Sequence, residues 1–124
     1  MGSPLRSYRQ LTVWSDGITL VKACYLITHD FPRDELFGLT SQIRRSAVSV
    51  PANIAEGYGR GSRKDYVRHL MIAQGSLKEL ETHLIIAGEV SLAPPTKIQP
   101  VLEQCDRLGK GLGALIRALQ AKHD

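Results

Sequence analysis

The order of apolar and polar positions along the 124-residue chain predicts four helices and no strands. The first predicted helix runs from Thr12, its expected N-cap, to His29. Trp14, Ile18, Val21 and Tyr25 form one stripe on it, and Val13, Leu20, Cys24 and Ile27 form a second beside the first. Two adjoining stripes predict neighbours on more than one side. Phe31-Pro32 ends the segment, because proline drives the residue before it out of the helical region. The second predicted helix spans Leu39 to Glu56, with Leu39, Ile43, Ala47, Val50 and Ile54 on one face. Pro51 inside it lacks a donor and crowds the Ala47 carbonyl, which predicts a kink. Gly57, Gly59 and Gly61 are expected to break the helix, with Gly57 in the left-handed C′ position.

In the third segment Ser62 can cap and Asp65 suits the positive end of the helix dipole. From Tyr66 the apolar positions Leu70, Ala73, Leu77, Leu80, Leu84 and Ala87 follow in alternating steps of four and three, a seam sustained over three heptads. Pro94-Pro95 forces a connection, and Pro95 or Thr96 can open the fourth helix. That helix repeats the seam through Ile98, Leu102, Cys105, Leu108, Leu112, Leu115 and Leu119, ending near Lys122. Gly109, Gly111 and Gly113 interrupt it at about 1 kcal/mol each relative to alanine. They point to close approach of another backbone, in the bundle or in another subunit; a tolerated weak helix is the alternative. Short links between long helices make neighbours antiparallel. The expectation is therefore one all-α domain over residues 1–124, an antiparallel up-down-up-down four-helix bundle, with residues 1–10 flexible.

A content of 43% apolar and 23% charged residues is that of a globular chain and argues against wholesale disorder. No apolar run is long enough to span a bilayer, and Met1 to Gln10 lacks the apolar centre of a secretory leader. A cytoplasmic protein without membrane contact is expected. Cys24 and Cys105 fall at core-type positions, which in a reducing compartment predicts buried thiols rather than a disulfide or metal pair.

Charge changes the picture more through its distribution than its size. Between Arg44 and Arg68 six basic residues face two acidic ones, so the whole net charge of +4 lies in that stretch. Such clustering favours anionic partners. Catalytic patterns, in contrast, are absent. None of His29, His69, His83 and His123 has a second histidine or a cysteine at metal-ligand spacing. Glu79 and His83 share a face at i, i+4, a pair more often solvated than metal-binding. Gly57-Tyr58-Gly59-Arg60-Gly61 follows a helix and lacks the Lys-Ser/Thr of a P-loop. The expectation is a protein that is not an enzyme and needs neither metal nor cofactor.

The stretch Gly38-Leu39-Thr40-Ser41-Gln42-Ile43-Arg44-Arg45-Ser46-Ala47-Val48-Ser49-Val50-Pro51-Ala52-Asn53-Ile54-Ala55-Glu56-Gly57-Tyr58-Gly59-Arg60, followed by Ser62, resembles the signature of the four-helix-bundle proteins encoded in 23S rRNA intervening sequences. Leu11-Thr12-Val13-Trp14, Phe31-Pro32 and Gly75-Ser76-Leu77-Lys78-Glu79-Leu80-Glu81-Thr82 extend the likeness, which covers about residues 8–119. The fourth helix matches in pattern alone. The resemblance implies a ring-like homo-oligomer, a pentamer. It also implies kinship with the accessory variability determinant of diversity-generating retroelements, a basic, nucleic-acid-binding partner of a reverse transcriptase.

Within the motif, Arg44, Arg45, Arg60, Arg63, Lys64 and Arg68 are the candidate nucleic-acid contacts, because guanidinium forks and ammonium groups match phosphate oxygens. For Arg44 and Arg45 an ion pair is the alternative, with Glu56 a candidate acceptor. For the others it is a solvated basic surface. The start of the third helix could hold a phosphate with them, and Tyr58 offers a stacking ring. Pro51, Asn53, Glu56 and Gly57 are read as structural. Asn53 is expected to bond a carbonyl freed by the proline, and Glu56, unfavourably placed at a helix end, to have an arginine partner. The reading is a non-enzymatic, homo-oligomeric nucleic-acid-binding adaptor, RNA or DNA, assisting a reverse transcriptase. The alternative is an oligomeric protein-interaction scaffold with no nucleic-acid ligand.

Overall fold

A computed structural model describes residues 7–122 of the chain, so expectations placed on residues 1–6 and on His123 lie outside the described residues. Residues 7–10, expected to be flexible, hold a 3-10 turn at Tyr8–Gln10 that Ser7 caps and that packs Tyr8 edge-on against Trp14 with ring centroids 5.3 Å apart. Four helices follow: α1 (Thr12–His29), α2 (Leu39–Gly59), α3 (Arg63–Glu89) and α4 (Pro95–Gln120). There is no strand among the described residues.

Helix α1 packs on α2 and α4, and α3 packs on the same two, so the four close into a ring of neighbours. Two contacts fix the antiparallel order. Lys97 near the start of α4 lies 3.9 Å from Asp30 at the end of α1. At the opposite end Arg63, opening α3, donates to the Lys122 carbonyl just past α4 at 2.8 Å. The chain is an up-down-up-down four-helix bundle. None of the helices is long and apolar enough to cross a membrane.

Burial decides which stripes make the core. On α1 the Val13, Leu20, Cys24 and Ile27 stripe is buried, whereas Ile18 and Tyr25 of the other stripe are exposed. Leu70, Ala73, Leu77, Leu80, Leu84 and Ala87 of the α3 seam are all buried, each large aliphatic contributing about 1.5–3 kcal/mol. On α4 the seam departs from the expected register. Val101 and Ile116 are buried, while Leu102, Leu115 and Leu119 are only partly so. A straight helix of 3.6 residues per turn drifts from a strict seven-residue repeat, so the inward position moves by one along the chain. Leu11, not Thr12, is the N-cap of α1. Pro100, on the exposed side of α4, was not anticipated inside a helix.

The end of α2 also corrects the sequence expectation. The helix runs through Gly57 to Gly59, with Arg60 as its C-cap, and the left-handed residue is Gly61 at φ +81°. Gly57 instead serves contact between helices: a Cβ there would stand 3.2 Å from the Tyr66 carbonyl of α3. Gly111 likewise lets α1 approach α4, since its Cβ would lie 3.1 Å from Val13 Cγ1. Pro51 is buried within α2 and faces Gly17 of α1, where a Cβ would come 3.1 Å from the proline ring.

Candidate nucleic-acid interface

Along the α2/α3 contact the helices are joined by polar side chains as well as apolar ones. Ser49 and Ser76 share a hydrogen bond of 2.8 Å across it. The Asn53 amide donates to the Ser49 carbonyl at 2.9 Å, not to the Ala47 carbonyl that Pro51 leaves free. Its oxygen faces His69 Nδ1 at 3.2 Å, and Arg68 Nη2 lies 3.2 Å from His69 Nε2. Arginine can only donate, so Nε2 accepts and Nδ1–H donates to Asn53. His69, 5% exposed, therefore has both ring nitrogens engaged between α2 and α3. This chain of bonds runs toward the α2/α3 corner and orients Arg68 there.

At the corner α2 stops in Gly59-Arg60-Gly61, and Ser62 opens α3 by accepting from the Asp65 amide at 3.1 Å. Glu56 pairs with Arg60, the arginine partner expected of it, though not Arg44 or Arg45. The hydrogen bond from Arg60 holds the Glu56 carboxyl below the usual range, helped by the charge of Arg68. The same bond raises the Arg60 guanidinium. With both side chains about half exposed, 46% and 51%, the pair stabilises the fold little. Arg60 is thereby restrained but still reachable.

Beside this pair Tyr58 and Tyr66 meet edge to face, centroids 5.9 Å apart at 88°. They line a cleft of about 280 Å³ with Gly61, Ser62, Arg63, Leu119 and Lys122. Burial, and next the neighbouring Tyr58, push the Tyr66 phenol up, so it stays a neutral hydroxyl. Arg63 is held by the Lys122 carbonyl, whereas Lys64 is exposed and makes no hydrogen bond or ion pair among the described residues. Tyr66, Leu119 and Lys122 were not singled out as site residues from the sequence. The topology signals them, since an up-down bundle sets the end of its fourth helix beside the start of its third.

The structure brings Arg60, Arg63, Lys64 and Arg68 to one end of the bundle and separates Arg44 and Arg45 from them. Sixteen positions of helix lie between Arg44 and Arg60, roughly 24 Å. Arg44 straps α2 to α1: its Nε donates to Thr28 Oγ1 at 2.9 Å, and its guanidinium lies 4.5 Å over the Tyr25 ring. Arg45 is exposed, unpaired among the described residues, and borders a polar α2/α3 groove with Glu79 and His83. His83 Nε2 stands 3.9 Å from the Glu79 carboxylate. No cluster of three or more potential metal ligands occurs among the described residues.

The sequence profile of the 23S rRNA-intervening sequence proteins matches residues 9–114. The chain belongs to that family. Among solved structures, a protein of unknown function from the S23 ribosomal protein family of Bacteroides thetaiotaomicron is similar to it, with a TM-score of 0.76 at 22% identity. The likeness covers 85% of this chain and 98% of that one, and at such identity it speaks for the shared bundle alone. No curated protein is a significant match to this member of the 23S rRNA-intervening sequence family.

Proposed function

We propose that the protein is a non-enzymatic, cytoplasmic, homo-oligomeric adaptor that binds nucleic acid at the α2/α3 corner. The observation that carries this reading is the Tyr58–Tyr66 pair bordered by Arg60, Arg63, Lys64 and Lys122, which joins stacking surface to phosphate-seeking cations. Family membership supports a role beside RNA. Large apolar side chains left exposed on α3, among them Met71, Ile72, Ile85 and Ile86, support self-association, and we take the ring-like pentamer as the assembly. Repetition of a +4 subunit around such a ring would turn a modest patch into a steering field. The kinship with the accessory variability determinant that the sequence resemblance implies extends the proposal to a reverse transcriptase as the protein served.

Light scattering for subunit count, combined with binding of structured RNA and duplex DNA on the same sample, tests it. If about four cations per site neutralise phosphates, raising salt from 50 to 200 mM weakens binding on the order of 100-fold. Binding indifferent to salt, or undiminished when Arg60, Arg63 and Lys64 are all changed to glutamate, would refute it. The scaffold reading draws on Phe37 and Leu26, exposed by 92% and 75%. Under that reading the same charge reversals dissolve the oligomer and no nucleic acid binds.

A further inference from the structure

At the far end of the bundle two arginines, Arg33 and Arg44, face one small cavity, while Asp30, Asp34 and Glu35 of the same connection lie outside its lining. Between the end of α1 and the start of α2 lies a cavity of about 220 Å³. His29, Arg33, Thr40 and Arg44 supply its polar lining, Phe31, Pro32 and Leu36 much of the rest, and no carboxylate lines it. It falls below the roughly 300–1,000 Å³ of pockets for drug-sized ligands, which suits a small ion and its waters.

Three features there await an acceptor. Thr40 is 4% exposed, and its hydroxyl has no hydrogen-bond partner. Buried polar groups are rarely left so, and each such case calls for an explanation. The Thr40 and Ser41 amides, in the first turn of the 21-residue α2, have no acceptor among the described residues, because Glu35 caps Leu39 alone at 3.2 Å. They stand at the positive end of the helix dipole. Arg44, one turn after Thr40, has its Nε bound to Thr28 and its plane fixed over Tyr25. Its two terminal nitrogens donate to nothing among the described residues, and Arg33 pairs with no carboxylate among them. A guanidinium held in place by neutral partners is a preorganised anion receptor.

We propose that this cavity is a binding site for a tetrahedral, phosphate-type oxyanion, gripped by Arg44 and Arg33 and seated on the Thr40 hydroxyl and the first turn of α2. The site is separate from the α2/α3 corner, so the two stand or fall independently.

Titration of the full chain with inorganic phosphate, at ionic strength held constant with chloride, tests it by NMR of the backbone amides and arginine side chains. Saturable shifts confined to Thr40, Ser41, Arg33 and Arg44 are expected, with half-saturation on the order of millimolar. Arg33→Gln, in an exposed turn, weakens binding about tenfold, the loss of one charge-assisted hydrogen bond. Thr40→Val raises Tm in phosphate-free buffer by removing the orphaned hydroxyl, yet shrinks the Tm increment that phosphate gives. Arg60→Glu and Arg63→Glu leave the phosphate shifts unchanged. A 5′-phosphorylated oligonucleotide competing at these amides, where its 5′-hydroxyl counterpart does not, assigns the anion to a strand end. Competition by neither assigns it to free phosphate. Diffuse, unsaturated shifts, or Arg33→Gln and Thr40→Val both titrating as the parent does, would overturn the proposal.

Discussion

A methyl group on Gly57 would stand 2.7 Å from the Cβ of His69, closer than real Cβ atoms approach anything. His69 is the buried residue through which Asn53 and Arg68 are linked, so the spacing of α2 and α3 and the polar seam between them depend on one missing side chain. Neither partner can yield by rotating, because the contact is with the first atom of the His69 side chain and the Tyr66 backbone. Gly57→Ala should therefore destabilise the fold by about 1–3 kcal/mol, as overpacking does. At Gly59 nothing lies within 4 Å of the added Cβ. Gly59→Ala should be neutral or slightly stabilising, as helix propensity favours alanine. Urea midpoints of the two variants check the contrast, and equal effects would refute the close approach.

The α4 register offers a second discrimination. Leu112 is fully buried and Ile116 is 5% exposed, whereas Leu115 is only partly covered. Leu112→Ala and Ile116→Ala should each cost about 2–5 kcal/mol, and Leu115→Ala clearly less. Leu77→Ala on α3, 1% exposed, belongs with the costly pair. Should Leu115→Ala prove as damaging as Ile116→Ala in monomeric conditions, the strict heptad would hold after all.

These cases show how far the sequence could be read. The bundle class and the limits of α1 follow from periodicity and from Phe31-Pro32, because both depend on local rules. The end of α2 was misread because a glycine two residues before another signals a helix stop and a close helix contact alike. Only the position of His69, a non-local fact, separates the two. The basic residues of the corner were legible as a cluster. Arg44 was not legible as a strap, since its partners Thr28 and Tyr25 lie on another helix and carry no charge that pairing by sign would find. The partition of Arg44 and Arg45 from the corner follows once α2 is seen to run unbroken from Leu39 to Gly59.

The α3/α4 connection contains a residue in an unfavoured conformation. Ser91 adopts φ +64°, while Leu92 N–H bonds the Ala87 carbonyl at 2.8 Å and Ser91 N–H bonds that of Gly88 at 3.1 Å. These are the paired bonds of a Schellman motif, whose C′ position favours glycine. A serine there adopts the left-handed region at a steric cost of about 1–2 kcal/mol, part of which glycine would forfeit in backbone entropy. Ser91→Gly should thus raise stability by about 0.5–1 kcal/mol, seen as a higher urea midpoint at unchanged slope. A loss of stability would mean that the Ser91 side chain makes a contact outweighing its backbone.

The two buried thiols give the fold a defined alkaline limit. Burial pushes both Cys24 and Cys105 up to about 12 from an ordinary 9.0, and the neighbouring Cys24 adds to the effect at Cys105. Below pH 9 both states keep the thiols protonated, so the preference for the neutral form is fully present. As pH rises from 9 toward 12 the unfolded chain releases these protons and the folded one retains them. The unfolded state then binds fewer protons, and stability falls by up to about 1.4 kcal/mol per pH unit for each thiol. Lysines and tyrosines titrate in the same window, so the informative quantity is the difference between the parent chain and a Cys24→Ala/Cys105→Ala variant. Cavity formation should make the variant less stable near neutrality, and its deficit should shrink steadily above pH 9 because it lacks the two coupled ionisations. Thiol-directed alkylation of the folded parent should be slow across the same range until global opening exposes the sulfurs. A deficit that stays constant with pH, or alkylation as fast in the folded as in the unfolded chain, would show that these sulfurs are not sealed within the bundle.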